Sequence, residues 1–375
     1  MMKIFPILWN ERNGWQADAS AGEAHLVIYF ASPFALAKTD VYEYLRGVCP
    51  AANIIGCSTG GEIFGVEVFE QSVSAVALQF ETSWTELAAT SIDHPEGSHA
   101  AGSALAAKLP VNGLRGVFLL GDGTRTNGTA LVAGVRTILP EAILLTGGLA
   151  GDGSDFRRTH VGANTPPAEG MIAAIGFYGE QLTMGWGSYG GWDRFGPERT
   201  ITRSKANVLF ELDSEPALQL YKRYLGEEAV NLPASALLFP LTVRPDDKEK
   251  SAVVRTIVGI DEAKQSLTFA GDVPQGYIAQ LMRGHFDELV DGASRAGARA
   301  AQADRVCLAL LVSCIGRRLL LGQRAGDEAE AVSAALGKDA VAVGFYSYGE
   351  IAPHETTGRC ELHNQTMTVT TISEA

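Results

Sequence analysis

Residues 54–63 read IIGCSTGGEI, and residues 342–351 read AVGFYSYGEI. Both set a glycine, four residues, a second glycine, a glutamate and an isoleucine behind an apolar run. Each phrase is followed by a loop and then another strand-like stretch, Ser72–Phe80 in one case and Gln365–Ile372 in the other. A looser third copy, LLTGGLAGD at 144–152, puts Gly151 and Asp152 in the Gly-Glu place. The repetition predicts an α/β (or α+β) protein of two related halves, residues 1–212 and 213–375. Each half is expected to be a strand-rich sheet flanked by helices and packed in layers, with a glycine loop and a carboxylate at its strand ends.

Outward from these phrases, Ala24–Phe30, Gly116–Leu120, Met171–Tyr178 and Val306–Ser313 are apolar at nearly every position. Strands covered on both faces look like this. Gln365–Ile372 alternates instead: Met367, Val369 and Thr371 oppose Thr366, Thr368 and Thr370, the pattern of a half-buried strand. Ile278, Leu281, Met282, Phe286, Leu289, Val290 and Ala293 predict an amphipathic helix of about 20 residues. Ser214-Glu215-Pro216 reads as a capped helix start, and Asp327–Leu336 as a helix closed by Gly337. Pro245–Lys250 (PDDKEK) is expected to be a solvated turn.

Composition narrows the function. The 375 residues are ample for sizeable cores. Thirty basic residues against 43 acidic ones leave −13, with no basic run, which argues against nucleic-acid binding. The longest apolar runs, such as Val306–Ile315, are ten residues, about half of a bilayer span. The opening MMKIFPILWNERNGW has too short an apolar stretch for a signal peptide. Five cysteines without CxxC spacing suit a reduced compartment, so a cytoplasmic protein is expected. Glycine, at 42 residues, is in excess and gathers at the ends of apolar runs, where backbone must turn sharply or approach closely.

Gly185-x-Gly187-x-x-Gly190 spells a dinucleotide fingerprint, but Trp192 to Pro197 offers no helix to receive a pyrophosphate. Gly56-Cys57-Ser58-Thr59-Gly60 spells GxSxG, so a hydrolase using Cys57 or Ser58 stands as an alternative, although no helix start follows the turn. His354, Cys360 and His363 lack metal-ligand spacing. What remains is a polar set at strand ends: Glu62, Asp122, Asp152, the pair Arg317-Arg318 with Arg317 taken for the site, Tyr346, Tyr348, Glu350, His363 and Asn364. With the loop residues Gly56, Cys57, Ser58, Thr59, Gly147 and Gly148, these are the expected ligand-binding residues. Strand ends beside glycine turns collect ligands. Tyrosine, asparagine, arginine and carboxylates together recognise a small polar molecule such as an amino acid, and do not by themselves make a nucleophile–base pair.

The chain resembles the FIST proteins, with N-terminal and C-terminal FIST domains in tandem over nearly its whole length. The matching phrases are IIGCSTGGEI, LLGDGTRTN (119–127), TGGLAGDG (146–153), ELDSEPAL (211–218), VVRTIVGID (253–261), SCIGRR (313–318), GFYSYGEI (344–351) and ELHNQTMTV (361–369). Ser214 departs from the family, which has glycine in its LDG-PA phrase, and leaves the local turn open. The resemblance implies a non-catalytic sensory protein that binds a small ligand. It would signal through a separate partner such as a histidine kinase or a cyclic-di-GMP enzyme. A stand-alone subgroup similar in length is described as haem-binding nitric-oxide sensors controlling a histidine kinase. Haem needs an axial donor in an apolar pocket; His363, His285, His160 and Cys314 are the candidates, and no motif selects among them. The pocket is expected between the halves, where the repeated loops would face each other.

Overall fold

The computed structural model describes residues 2–232, 234–245, 251–302 and 307–375. Apolar runs become its central strands. Leu26–Ala31 is buried throughout and pairs in parallel with Asn53–Ser58. Parallel neighbours need a crossover, supplied by helices Pro33–Lys38 and Val41–Val48. Ser32 starts the first helix: its hydroxyl accepts the Ala35 N–H at 3.0 Å, and Pro33 opens the first turn. The same arrangement recurs twice. Leu114–Gly121 pairs in parallel with Leu144–Leu149 across helix Gly128–Arg136. Cys307–Cys314 pairs with Ala340–Ser347 across helices Ile315–Leu321 and Ala325–Leu336.

Each parallel pair gains two antiparallel strands on one side. These are Ser72–Gln79 and Lys3–Asn10 in the first unit, Met171–Tyr178 and Trp84–Ser91 in the second, and Met367–Glu374 and Leu182–Tyr189 in the third. On the other side, each pair is completed by another unit. Glu62–Phe64 joins Ala340–Ser347, Val161–Ala163 joins Asn53–Ser58, and Gly349–Pro353 joins Leu144–Leu149. Three six-stranded sheets result that share one order over five strands, each unit lending a strand to another in a cycle. Their inner faces share a core, where Phe30 stacks on Phe345 at 4.6 Å and meets Phe118 edge-on at 6.5 Å. A further eight-stranded sheet, within residues 192–284, is inserted before helix Phe286–Ala300 and has its own core around Leu209, Leu220 and Phe269. The layered α/β architecture is as expected. Within its two halves, the loose third copy of the glycine phrase proves to be a unit of the same topology.

Three local expectations are corrected. The helix expected from Ile278 is a strand, Ile278–Gly284, followed by the helix Phe286–Ala300. Strand neighbours on both sides, with Leu281 opposite both Leu241 and Phe195, override the helical spacing. Ser214 caps nothing. Asp213 and Ser214 hold left-handed φ values of 50° and 67° in the two-residue turn between Val208–Leu212 and Glu215–Pro216, and the helix begins at Ala217. Such a turn favours glycine, the residue the family has there. The strand expected to be half-buried, now Met367–Glu374, is buried at all eight positions. Helix Phe286–Ala300 covers one face, where Thr371 donates to the Ala300 carbonyl at 2.6 Å. That helix also explains Gly185 and Gly187, against which the Ala300 and Ala296 carbonyls pack too closely for any Cβ. Val306 and residues 246–250 of the charged loop lie outside the described residues.

Candidate functional site

The three glycine loops meet. The Gly60 N–H donates to the Tyr346 carbonyl at 2.8 Å, the Gly151 N–H to that of Ser58 at 2.9 Å, and the Tyr348 N–H to that of Leu149 at 3.1 Å. Each unit thus bonds to the next in a closed cycle. A Cβ on Gly151 would lie 2.9 Å from the Gly60 nitrogen, so this approach of two backbones requires glycine.

Glu62 and Glu350 occupy matching places in their units. One oxygen of Glu62 accepts from Thr59, and the other from the Ser72 N–H at 3.0 Å and its hydroxyl at 2.7 Å. Glu350 accepts from Ser347 at 2.6 Å, and from the Thr366 N–H at 3.1 Å and its hydroxyl at 2.9 Å. Both are fully buried, and burial outweighs these bonds. It pushes Glu62 up to about 7 and Glu350 up to about 8.

Beside the junction a cleft of about 580 Å³ opens between Thr59–Glu62, Asp152–Asp155 and helix Ile315–Leu321. Ser154, Asp155 and Leu319 also line a second compartment of about 550 Å³, walled by Phe156 and by Leu237, Ile257 and Val258. Arg318 reaches the cleft from its helix, donating to the Gly60 carbonyl and to Glu70 and lying 5.6 Å from the Tyr346 ring centre. Tyr348 pins the opposite lip. Its hydroxyl donates to Asp152 and accepts the N–H groups of Asp152 and Phe156 at 3.1 and 3.2 Å, and its ring stacks on Phe156 at 4.3 Å. The second Asp152 oxygen accepts the N–H groups of Arg157 and Arg158.

Among the residues expected from sequence, Thr59, Glu62 and Asp152 line this cleft, with Tyr348 directly behind. Gly56, Cys57, Ser58, Gly147 and Gly148 form the packed strands below it. Asp122 is buried and ties loops together, accepting from Thr124, Arg125, Thr159 and Gly170. Arg317 turns inward to Glu328 at 2.8 Å, with both side chains fully buried, and also donates to the Gly190 and Leu289 carbonyls. Tyr346 is buried, its hydroxyl bonded to the Ala325 carbonyl. Glu350 and Asn364 are buried outside the cleft, and His363 borders a separate pocket of about 240 Å³. Of the Arg317-Arg318 pair it is Arg318, not the expected Arg317, that lines the cleft, and Asp155 and Leu319 line it without having been expected there. The signal was SCIGRR, which does not say which arginine faces outward.

The hydrolase residues are not arranged for attack. Ser58 is buried and its Oγ accepts the His160 backbone N–H at 2.8 Å; burial pushes the Cys57 thiol well up. The strand Glu62–Phe64, not a helix, follows the turn. The four axial candidates stand in four different surroundings. His363 pairs with the Ala352 carbonyl at 3.0 Å, and burial with the neighbouring His354 lowers it to about 3. His285 is exposed beside Asp193. His160 borders a pocket of about 330 Å³ walled by Leu36, Val41 and Pro167 on the apolar side and by Asp40 and Glu43 on the polar side, and its buried Nδ1 has no hydrogen-bond partner among the described residues. Cys314 is buried, with its thiol pushed up.

A FIST N domain matches residues 25–215, and a FIST C domain matches residues 217–353. The chain belongs to the FIST family. FIST domains are sensory rather than catalytic, which points to small-ligand binding and signalling. No curated protein matches the chain. Among solved structures, cyanuric acid hydrolase from A. caulinodans is similar over 100% of this FIST chain and 99% of its own, at 9% identity and a TM-score of 0.37, a likeness too low to bear on function. Among the described residues, no helix is long and apolar enough to cross a membrane.

Proposed function

We propose that this FIST protein is a cytoplasmic sensor that binds a small ligand, an amino acid or similar, in the cleft beside the three-loop junction. It signals through a separate protein such as a histidine kinase or a cyclic-di-GMP enzyme. The observation that carries the reading is the lining of the cleft. Two of the three glycine loops and Arg318 form it, and Arg318 also bonds to the Gly60 carbonyl inside the junction. A ligand shifts an equilibrium only through different affinities for two states. One that contacts Gly60, Asp152 and Arg318 acts on groups that bond the units together, so its binding can be read by a partner elsewhere on the surface.

The test is a thermal-shift screen of amino acids and small metabolites against the full chain and Ser154→Trp, a bulky change at an exposed cleft position. A ligand at a hundred times its Kd adds about 2.7 kcal/mol of stability. The expected result is a compound that stabilises the wild type and not the variant. Compounds that stabilise both equally, or a screen without hits, would overturn the reading.

A further inference from the structure

The two compartments that share Ser154, Asp155 and Leu319 have a charge pattern of their own. Among the described residues Arg318 is their basic lining residue, and its guanidinium is already held by Glu70 and the Gly60 carbonyl. Asp152 is occupied by Tyr348 and two backbone N–H groups. Asp155, at the seam of the compartments, and Glu228, in the second, are exposed. Neither carboxylate has a hydrogen-bond or ion-pair partner among the described residues. Beside them the wall turns apolar through Phe156, Leu237, Val258 and Leu319, and Leu319 stands 43% exposed at the seam.

Surplus negative charge next to an open apolar wall discriminates by ligand charge. An ammonium gains from Asp155 and Glu228, and an apolar body covers Leu319. A free carboxylate meets like charge at the seam and must compete with Glu70 for Arg318. We infer that the groove takes an organic amine with an apolar body and no free carboxylate, its ammonium at Asp155 and its body along Leu319 and Phe156. The inference rests on the small-ligand reading above and, within it, puts an amine without a carboxylate in the place of an amino acid.

Isothermal titration of the full chain with 2-phenylethylamine, phenylalanine and 3-phenylpropionate, which share one ring and differ in charge, tests it. The amine should bind most tightly, more weakly as salt rises. Asp155→Asn, a change on an exposed loop, should weaken the amine about five-fold, and Leu319→Ser should weaken it without changing the salt dependence. Phenylalanine or the acid binding as tightly as the amine, or Asp155→Asn binding it unchanged, overturns the inference and leaves the small-ligand reading standing. If none of the three binds, a cleft-dependent hit without an amine in the thermal screen overturns the inference alone. A cleft-dependent hit that is an amine supports the inference, and the absence of any cleft-dependent hit overturns both.

Discussion

Replacing Glu62 by glutamine should change how stability depends on pH. The Glu62 carboxyl is held at about 7 in the folded chain, against an ordinary value of 4.5. Between those values the folded state keeps a proton that the unfolded state has released, so stability falls as pH rises. At 1.36 kcal/mol per pH unit, the loss from Glu62 is about 3 kcal/mol once pH exceeds its folded value. His363, lowered to about 3, has the opposite slope below its ordinary 6.5. The informative quantity is therefore the difference between wild type and Glu62→Gln. A glutamine oxygen can accept from Ser72 while its amide donates to Thr59, so the variant should fold. Urea titrations followed by tryptophan fluorescence should place the two proteins closest at pH 5. By pH 8 the variant should have gained on the wild type by about 3 kcal/mol. A difference that moves by less than about 1 kcal/mol over this range would refute the reasoning.

Glu350, held higher at about 8, should show the same effect over a window reaching further into alkaline pH when changed to glutamine, read by the same titrations. Ser214→Gly should stabilise by about 1 kcal/mol, because Ser214 sits at a left-handed φ of 67°; an unchanged or lower midpoint in denaturant would count against it. Arg317→Ala should destabilise by about 3–5 kcal/mol by leaving Glu328 buried without its partner, whereas Arg317→Met with Glu328→Met should recover most of that loss. Equal losses in the single and double variants would show that the pair is not the cause. Tyr348→Phe should speed hydrogen exchange in residues 152–158, whose Asp152 and Phe156 amides bond to the Tyr348 hydroxyl, and leave the strand Cys307–Cys314 unaffected.

The strands were legible because strands buried on both faces need continuous apolar runs, as Leu26–Ala31 and Met171–Tyr178 show. The matched roles of Glu62 and Glu350 were legible because the same phrase produces the same hydrogen bonds. The second unit was harder to see: its phrase ends in Asp152 in place of glutamate, and its lent strand, Val161–Ala163, begins well beyond that carboxylate, whereas Glu62 and Glu350 lie within theirs. The error at Ile278 has another origin. Apolar residues three or four apart fit a helix, but the strand there is fixed by pairing with Leu241–Arg244 and Trp192–Lys205, both distant in sequence. Arg317 and Arg318 differ by one step on a helix, and which one turns inward is decided by Glu328 on the following helix. Such long-range partners carry no local signature, which is why Arg317 was taken for the site in place of Arg318.

The lending of strands around the cycle bears on how the chain is made. When the ribosome has synthesised the first two units, the edge of Leu144–Leu149 is still bare, since Gly349–Pro353 has yet to emerge. Leu182–Tyr189 likewise waits for Met367–Glu374, which it pairs along its whole length. Vectorial synthesis therefore leaves apolar strands uncovered until residues 349–374 appear, and until then the open edges invite pairing with other nascent chains. A cut between the two FIST domains would make that interim exposure permanent, so the fragments should remain intact only when produced together.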